Sequence, residues 1–278
     1  MTSTQNPKTN LSSNPTSSWT IRRILNIIKN TMHPTTRSLQ SVYNTHATHF
    51  SQTRKKHRPE IDYIINYINN IPQKTLNVIE LWCGDGRLYG YLTTQTEKTI
   101  KYTGIDIAEK LLAIGKKNYP QANFIHADMT EAVTKWKQES VDIVISIAAF
   151  HHLPNEKSRL FVLKNIYRLL KYDGALIMTN RALSTWFIKK YSKQLIQSIS
   201  KRVTSLGSNS RRDVFITRNK QWARYYHIFS KKRLTELHHQ AGFTVQHNHY
   251  MDNTWQKTNC SKSARNILTI AYKSIKKQ

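Results

Sequence analysis

The chain has 278 residues, with 43 lysines and arginines against 16 aspartates and glutamates, a formal charge of +27. That is far beyond the magnitude of ~2–8 that keeps a small domain soluble, and it favours a polyanionic partner, nucleic acid ahead of anionic membrane. No apolar run approaches the ~20 residues of a spanning helix, and the two cysteines, Cys83 and Cys260, form neither a disulfide framework nor a zinc pattern; the expectation is a soluble, cytoplasmic chain with one large domain and extensions.

Residues 1–40 are rich in Ser, Thr and Asn, and no acidic residue occurs before Glu60. They read as a disordered basic arm with a short amphipathic stretch at 19–28, and they lack the apolar core of a secretory signal. Residues 19–70 otherwise read as helical, with Pro59 near a start and Ile61, Ile64, Ile65 and Ile68 at helical spacing. From 76 onward strands are expected near 76–82, 100–106, 122–126, 141–147 and 174–180, with helices near 86–93, 108–118 and 156–171 between them. This alternation predicts a Rossmann-like α/β domain over 41–273, a mostly parallel seven-stranded sheet with helices on both faces. A basic helix and loop at 182–221 interrupt it, residues 222–229, 242–250 and 266–273 complete the sheet around a helix near 231–241, and 274–278 form a basic tail.

The first strand ends in Glu80-Leu81-Trp82-Cys83-Gly84-Asp85-Gly86-Arg87, and the second ends in Asp106. In a doubly wound sheet, glycines after the first strand let backbone approach a nucleotide-like ligand, and an acid after the second accepts from ribose hydroxyls. A dinucleotide fingerprint starting at Gly84 would need a small residue where Tyr89 stands, which disfavours NAD. The pattern Glu80, Gly84, Gly86 instead resembles the first motif of class I S-adenosylmethionine-dependent methyltransferases. Trp82 departs from it, standing where that family has its first glycine. Some genetic codes read UGA as glycine and others as tryptophan, and the chain holds 8 glycines beside 6 tryptophans; the codon decides between a real substitution and a decoding effect.

The third strand ends in His126-Ala127-Asp128-Met129. Asp128 either accepts from an adenine amino group, with Met129 packed on the ring, or caps the next helix. The fourth strand runs into Ala148, Ala149 and Phe150, then His151 and His152. Small residues there leave room for a ligand. A metal lacks a third partner at convincing spacing; the histidines act either as a general base or as packing and turn-capping groups. Candidates for cofactor contact are Glu80, Cys83, Gly84, Gly86, Asp106, Ile107, Asp128, Met129 and Ala148.

Four strings in chain order sharpen the resemblance: 43–54, beginning Tyr43-Asn44-Thr45-His46 and ending in Arg54; 145–152; Asp213-Val214-Phe215-Ile216; and Arg224-Tyr225-Tyr226-His227-Ile228-Phe229. Together they are similar to the tRNA methyltransferases that esterify 5-carboxymethyluridine at the wobble position. The likeness covers roughly 40–273, departing at Trp82, at His57 and across 182–221. It implies S-adenosyl-L-methionine as cofactor, tRNA as partner, and a small zinc-binding activator subunit in the eukaryotic members. It also brings Arg54, Arg224, Tyr226 and His227 toward the substrate as candidate catalytic groups. A carboxylate is already a nucleophile at neutral pH, so such a site needs cations and donors for positioning rather than a base. Arg211, Arg212, Arg218, Lys220, Lys189, Lys190, Lys231, Lys232 and Arg233 are then candidates for the RNA backbone. Rival expectations are a small-molecule methyltransferase and a non-catalytic RNA-binding protein on a decayed methyltransferase fold.

Overall fold

The structure, a computed structural model, describes residues 34–53, 59–197, 212–218 and 222–274. Ten strands occur among them: β1 Thr75–Leu81, β2 Thr99–Asp106, β3 Asn123–His126, β4 Val141–Ile147, β5 Leu170–Arg181, β6 Asp213–Arg218, β7 Trp222–His227, β8 Thr244–Met251, β9 Lys257–Thr258 and β10 Asn266–Tyr272. Eight of them form one sheet in the order β3-β2-β1-β4-β5-β10-β8-β9. Pairing is parallel from β3 through β5 and antiparallel beyond it. The sheet is therefore the expected Rossmann-like one, with β9 added as a two-residue edge.

Side-chain alternation along the central strands splits the core in two. Ile79, Leu81 and Val144 face one layer with the helices Glu156–Leu169 and Lys231–Gln240. Leu76, Val78, Ile143 and Ile145 face the other with the helices Pro59–Asn69 and Arg87–Gln95. Strands covered on both faces read as nearly continuous apolar runs, which is why 76–81 and 141–147 stand out in the sequence. The chain moves outward from β1 to β3 and returns with β4 beside β1. The carboxyl ends of β1, β2 and β4 thus diverge around a crevice, the position where open α/β sheets hold ligands.

One expectation is corrected. Residues 222–229 do not join the main sheet: β7 pairs antiparallel with β6 in a separate two-stranded sheet, from Asp213↔His227 to Arg218↔Trp222. Phe229 meets the chain at the end of β5, through an isolated parallel bridge to Ala182. The pairing partner lies in 213–218, inside the stretch read as loop, and a strand with a local partner has its backbone groups satisfied without the sheet. A helix spans Pro34–Thr45, within the stretch 19–70 read as helical, with proline in its first turn, where a missing N–H costs nothing. The rest of the arm, Arg54, His57, Arg211, Lys220 and most of the tail lie outside the described residues.

Candidate active site

The turn after β1 is built by backbone conformation. Trp82, Gly84 and Gly86 take φ of 60°, 62° and 73°. At Gly84 a Cβ would meet nothing within 4 Å, so the left-handed φ is what calls for glycine. At Gly86 a Cβ would lie 2.5 Å from Cζ of Phe124, so there the need is also close approach. The Gly84 N–H donates to Oδ2 of Asp106 at 2.8 Å, and Oδ1 accepts from the Ala108 N–H at 2.7 Å. Asp106 therefore ties the end of β2 to the loop after β1. Burial pushes its carboxyl up to about 6, against the pull of those two N–H donors.

Behind the loop, the Tyr102 hydroxyl donates to Oε2 of Glu80 at 2.6 Å. Burial pushes Glu80 up to about 8, so it holds its proton at neutral pH. Burial likewise raises the Cys83 thiol well above its ordinary range, aided by Asp106 and Glu80, which makes it a poor nucleophile. Glu80, Trp82, Cys83, Gly84, Asp106 and Ala148 all line one cavity of about 320 Å³. Its remaining wall includes Tyr43, Arg87, Ile147, His151, His152, Arg181, Arg224 and Tyr226.

The other cofactor candidates lie outside that wall. Asp128 caps the helix Met129–Ala132, its Oδ1 accepting from the N–H and hydroxyl of Thr130 at 2.7 and 2.6 Å. Met129 is 1% exposed and sits in the core with Ile79 and Leu81. The Ile107 side chain is buried too, and its carbonyl accepts from the Gln40 amide at 2.9 Å. Gly86 shapes the loop without lining the cavity.

Alternation along β7 decides which of the late string reaches the cavity. Arg224 and Tyr226 point to it, whereas Tyr225 and His227 point away. The Arg224 guanidinium lies 5.5 Å from the ring of Tyr226 and 6.0 Å from that of Tyr43, and its Nη1 donates to the Tyr43 hydroxyl at 3.3 Å. His227 belongs to a second, neighbouring cavity with Arg159, Arg212, Asp213 and Arg233. There its Nδ1 meets Oδ1 of Asp213 at 2.6 Å, and the Tyr225 hydroxyl donates to the same oxygen at 2.8 Å. Nη2 of Arg159 is 3.7 Å from that carboxylate. Burial pushes Asp213 up, but His227, Tyr225 and Arg159 outweigh it and hold the group below its ordinary value. This network fixes β7 from behind.

Both histidines after β4 are buried and packed. His152 stacks on Trp82, ring centroids 5.2 Å apart, and its Nδ1 lies 2.6 Å from the Tyr225 carbonyl. A carbonyl only accepts, so Nδ1 carries the proton. Nδ1 of His151 accepts from the Arg181 N–H at 3.3 Å, and its ring stacks on Tyr226 at 5.1 Å. Burial, with His152, Arg181 and Arg224 adding to it, holds His151 well below its ordinary pKa and therefore neutral. Sequence reasoning missed Tyr43 and Arg181 as wall residues. Arg181 ends β5 beside β4, so the rule that ligands sit beyond strand carboxyl ends was the signal for it; nothing local marks Tyr43.

Residues 79–178 match the methyltransferase domain family. A tRNA (carboxymethyluridine(34)-5-O)-methyltransferase of Schizosaccharomyces pombe is 24% identical over 236 residues, 78% of this chain and 93% of that protein. One from Xenopus tropicalis is 28% identical over 174 residues, 62% of this chain, which spans only 26% of that longer protein. Among solved structures, a SAM-dependent methyltransferase from Methanosarcina mazei superposes with a TM-score of 0.61 at 18% identity, over 76% of this chain and 98% of that one. A chain from the complex between the Haloferax volcanii Trm112 methyltransferase activator and a methyltransferase gives 0.58 at 15% identity, over 87% of this chain and 100% of that one. Residues 79–178 therefore match a methyltransferase domain, and the chain shares the fold of these S-adenosylmethionine-dependent methyltransferases.

Proposed function

We propose that this chain esterifies the carboxylate of a carboxymethyl group on a wobble uridine of tRNA, using S-adenosyl-L-methionine. The observation that carries the reading is a cation, Arg224, flanked by Tyr43 and Tyr226, on the wall of the same cavity as Glu80, Gly84 and Asp106. The donor set fits a nucleoside cofactor: a carboxylate anchored on two backbone N–H groups, an open glycine, and a small residue at Ala148. Asp106 would hold the ribose hydroxyls, and Gly84 and Ala148 would admit the rest. The cofactor supplies an activated methyl group. Arg224 and Tyr226 bind and orient the acceptor carboxylate, which has no proton to surrender at neutral pH. A neutral His151 and a packed, buried His152 are consistent with a site that excludes water and holds geometry instead of moving a proton.

The relatives from Schizosaccharomyces pombe and Xenopus tropicalis bear the name of this activity, and the +27 charge suits a polyanionic acceptor. Arg212 and Arg233 around the second cavity, with Lys189, Lys190, Lys231 and Lys232, are the described candidates for phosphates. Arg54, Arg211 and Lys220 keep the same proposed roles from the sequence. A small activator subunit and a cytoplasmic site of action belong to the proposal; no helix among the described residues is long and apolar enough to cross a membrane. The test is transfer of labelled methyl from the cofactor to tRNA bearing carboxymethyluridine, followed by mild alkali. An ester releases its label as methanol. Label that stays on the RNA through saponification would place the methyl on nitrogen or an ether oxygen and reject the reading.

A further inference from the structure

Tryptophan is the bulkiest side chain, and the left-handed backbone region is a true outlier for bulky residues. Yet of the five tryptophans among the described residues, Trp82 and Trp255 sit there, at φ 60° and 62°. The other non-glycine residues with positive φ are Glu139, Ala148 and Asp173, none of them aromatic. Each tryptophan also stands where a chain reverses: Trp82 in the turn after β1, and Trp255 in the turn before β9, where Oδ1 of Asp252 accepts from the N–H groups of Thr254 and Gln256. The indole N–H of Trp82 is buried with no hydrogen-bond partner among the described residues, a cost that a native packing position rarely carries. Its ring lies against His152 on the cavity wall. The cavity, about 320 Å³, is at the bottom of the ~300–1,000 Å³ range of small-ligand pockets, though it has to admit both a nucleoside cofactor and part of a nucleotide.

We infer that 82 and 255 are glycine positions of this fold, that the Trp82 indole plugs space the cofactor needs, and that the gene's own cell inserts glycine at both. A codon that one genetic code reads as glycine and another as tryptophan produces this pair of misfits. The plug rests on the reading of the cavity as the cofactor site; the backbone argument does not.

Comparing glycine with alanine isolates the backbone, because both remove the indole and differ only in Cβ. Trp82→Gly should melt above Trp82→Ala, and Trp255→Gly above Trp255→Ala, each by about 2–4 °C. At Trp136, whose φ is not positive, the order should invert, since glycine there only adds chain entropy. Calorimetry with S-adenosylhomocysteine should show Trp82→Gly binding at least about tenfold tighter than the tryptophan protein. In protein isolated from its own cells, the tryptic peptide 75–87 should have the mass of glycine at 82. Alanine variants melting above glycine variants at 82 and 255 would overturn the backbone claim. Equal affinities would overturn the plug, and a tryptophan-bearing peptide would overturn the decoding. If no form of the protein binds the cofactor product while the melting orders hold, the cofactor reading of the cavity falls and the glycine positions stand.

Discussion

The two walls of the cavity are made differently. The wall beside β1 and β2 is local and largely backbone: Gly84 and Asp106 are joined across 22 residues, through N–H donors and left-handed turns. The wall facing it is assembled from afar. Arg224 meets Tyr43 across 181 residues, and β7 is held by His152 on one side and by Asp213, Tyr225, His227 and Arg159 on the other. A wall made of backbone tolerates side-chain change outside a few anchors and governs cofactor affinity. A wall made of distant side chains depends on whatever fixes its strand and governs turnover.

The network behind β7 is the sharpest place to break that division. Asp213→Ala leaves Arg159 buried without its carboxylate and should cost about 3–5 kcal/mol of stability, the penalty for breaking a buried pair. Urea unfolding measures it. Turnover should fall in the folded fraction while cofactor affinity per folded molecule holds. A loss below 1 kcal/mol, with turnover intact, would mean that the hairpin is positioned by other contacts.

Removing the cation itself comes next. Arg224→Ala should lower turnover on a carboxylate-bearing tRNA by roughly 10²-fold, through lost orientation, and leave cofactor affinity near wild type. His151→Gln and His152→Gln should each cost less, because the acceptor needs no base. Single-turnover methyl transfer across pH 6–9 separates these variants. A rate rising with a pKa near 7 and lost in His152→Gln, with Arg224→Ala almost intact, would point to a hydroxyl or ring-nitrogen acceptor instead.

Why one wall was readable and the other only half so follows from the same contrast. The loop from Glu80 to Gly86 and the acid at 106 announce themselves because strand, turn and acid lie within one βαβ unit, so periodicity and glycine spacing suffice. Asp128 and Met129 look like ligand contacts from their place after β3, but the short helix that starts there takes Asp128 as its cap and turns Met129 into the core. His227 reads as a partner of Arg224 in the same string, yet strand alternation sends the two to opposite faces. That division required knowing that 222–227 is a strand paired with 213–218, a pairing across a basic stretch with little apolar patterning. Tyr43 needed the tertiary fold outright.

On the cofactor wall, Asp106→Ala should weaken S-adenosylhomocysteine by about 1–3 kcal/mol, the cost of unpairing ribose hydroxyls from a charged acceptor. Turnover at saturating cofactor should change far less than in Arg224→Ala. Calorimetry beside saturating kinetics tests it, and an unchanged dissociation constant would remove Asp106 from the ribose.

The last contrast is one of sign: the cofactor wall's stability and its binding respond to pH in opposite directions. Asp106 and Glu80 titrate at about 6 and about 8 in the folded chain, above their ordinary 3.8 and 4.5. The native state therefore binds more protons than the unfolded state between those limits, so both groups make the protein less stable as pH rises, Asp106 over about 4 to 6 and Glu80 over about 4.5 to 8. Buried His151 and His238, held below their ordinary pKa, work the other way in the acid part of that range, so each carboxyl is isolated by the difference between wild type and a neutral variant. The stability gap between Glu80→Gln and wild type should narrow as pH falls from 8 to 5, and should close only near 4.5, where Glu80 is protonated in the unfolded chain as well. Cofactor affinity should move oppositely in the wild type, dropping as pH falls below about 6, because protonating Asp106 removes the charged acceptor that ribose hydroxyls need. Melting curves and calorimetry on the same samples from pH 5 to 8 give both. If affinity holds steady as pH falls through 6, Asp106 is not the titrating acceptor, and the local wall owes its cofactor affinity to something other than this carboxylate.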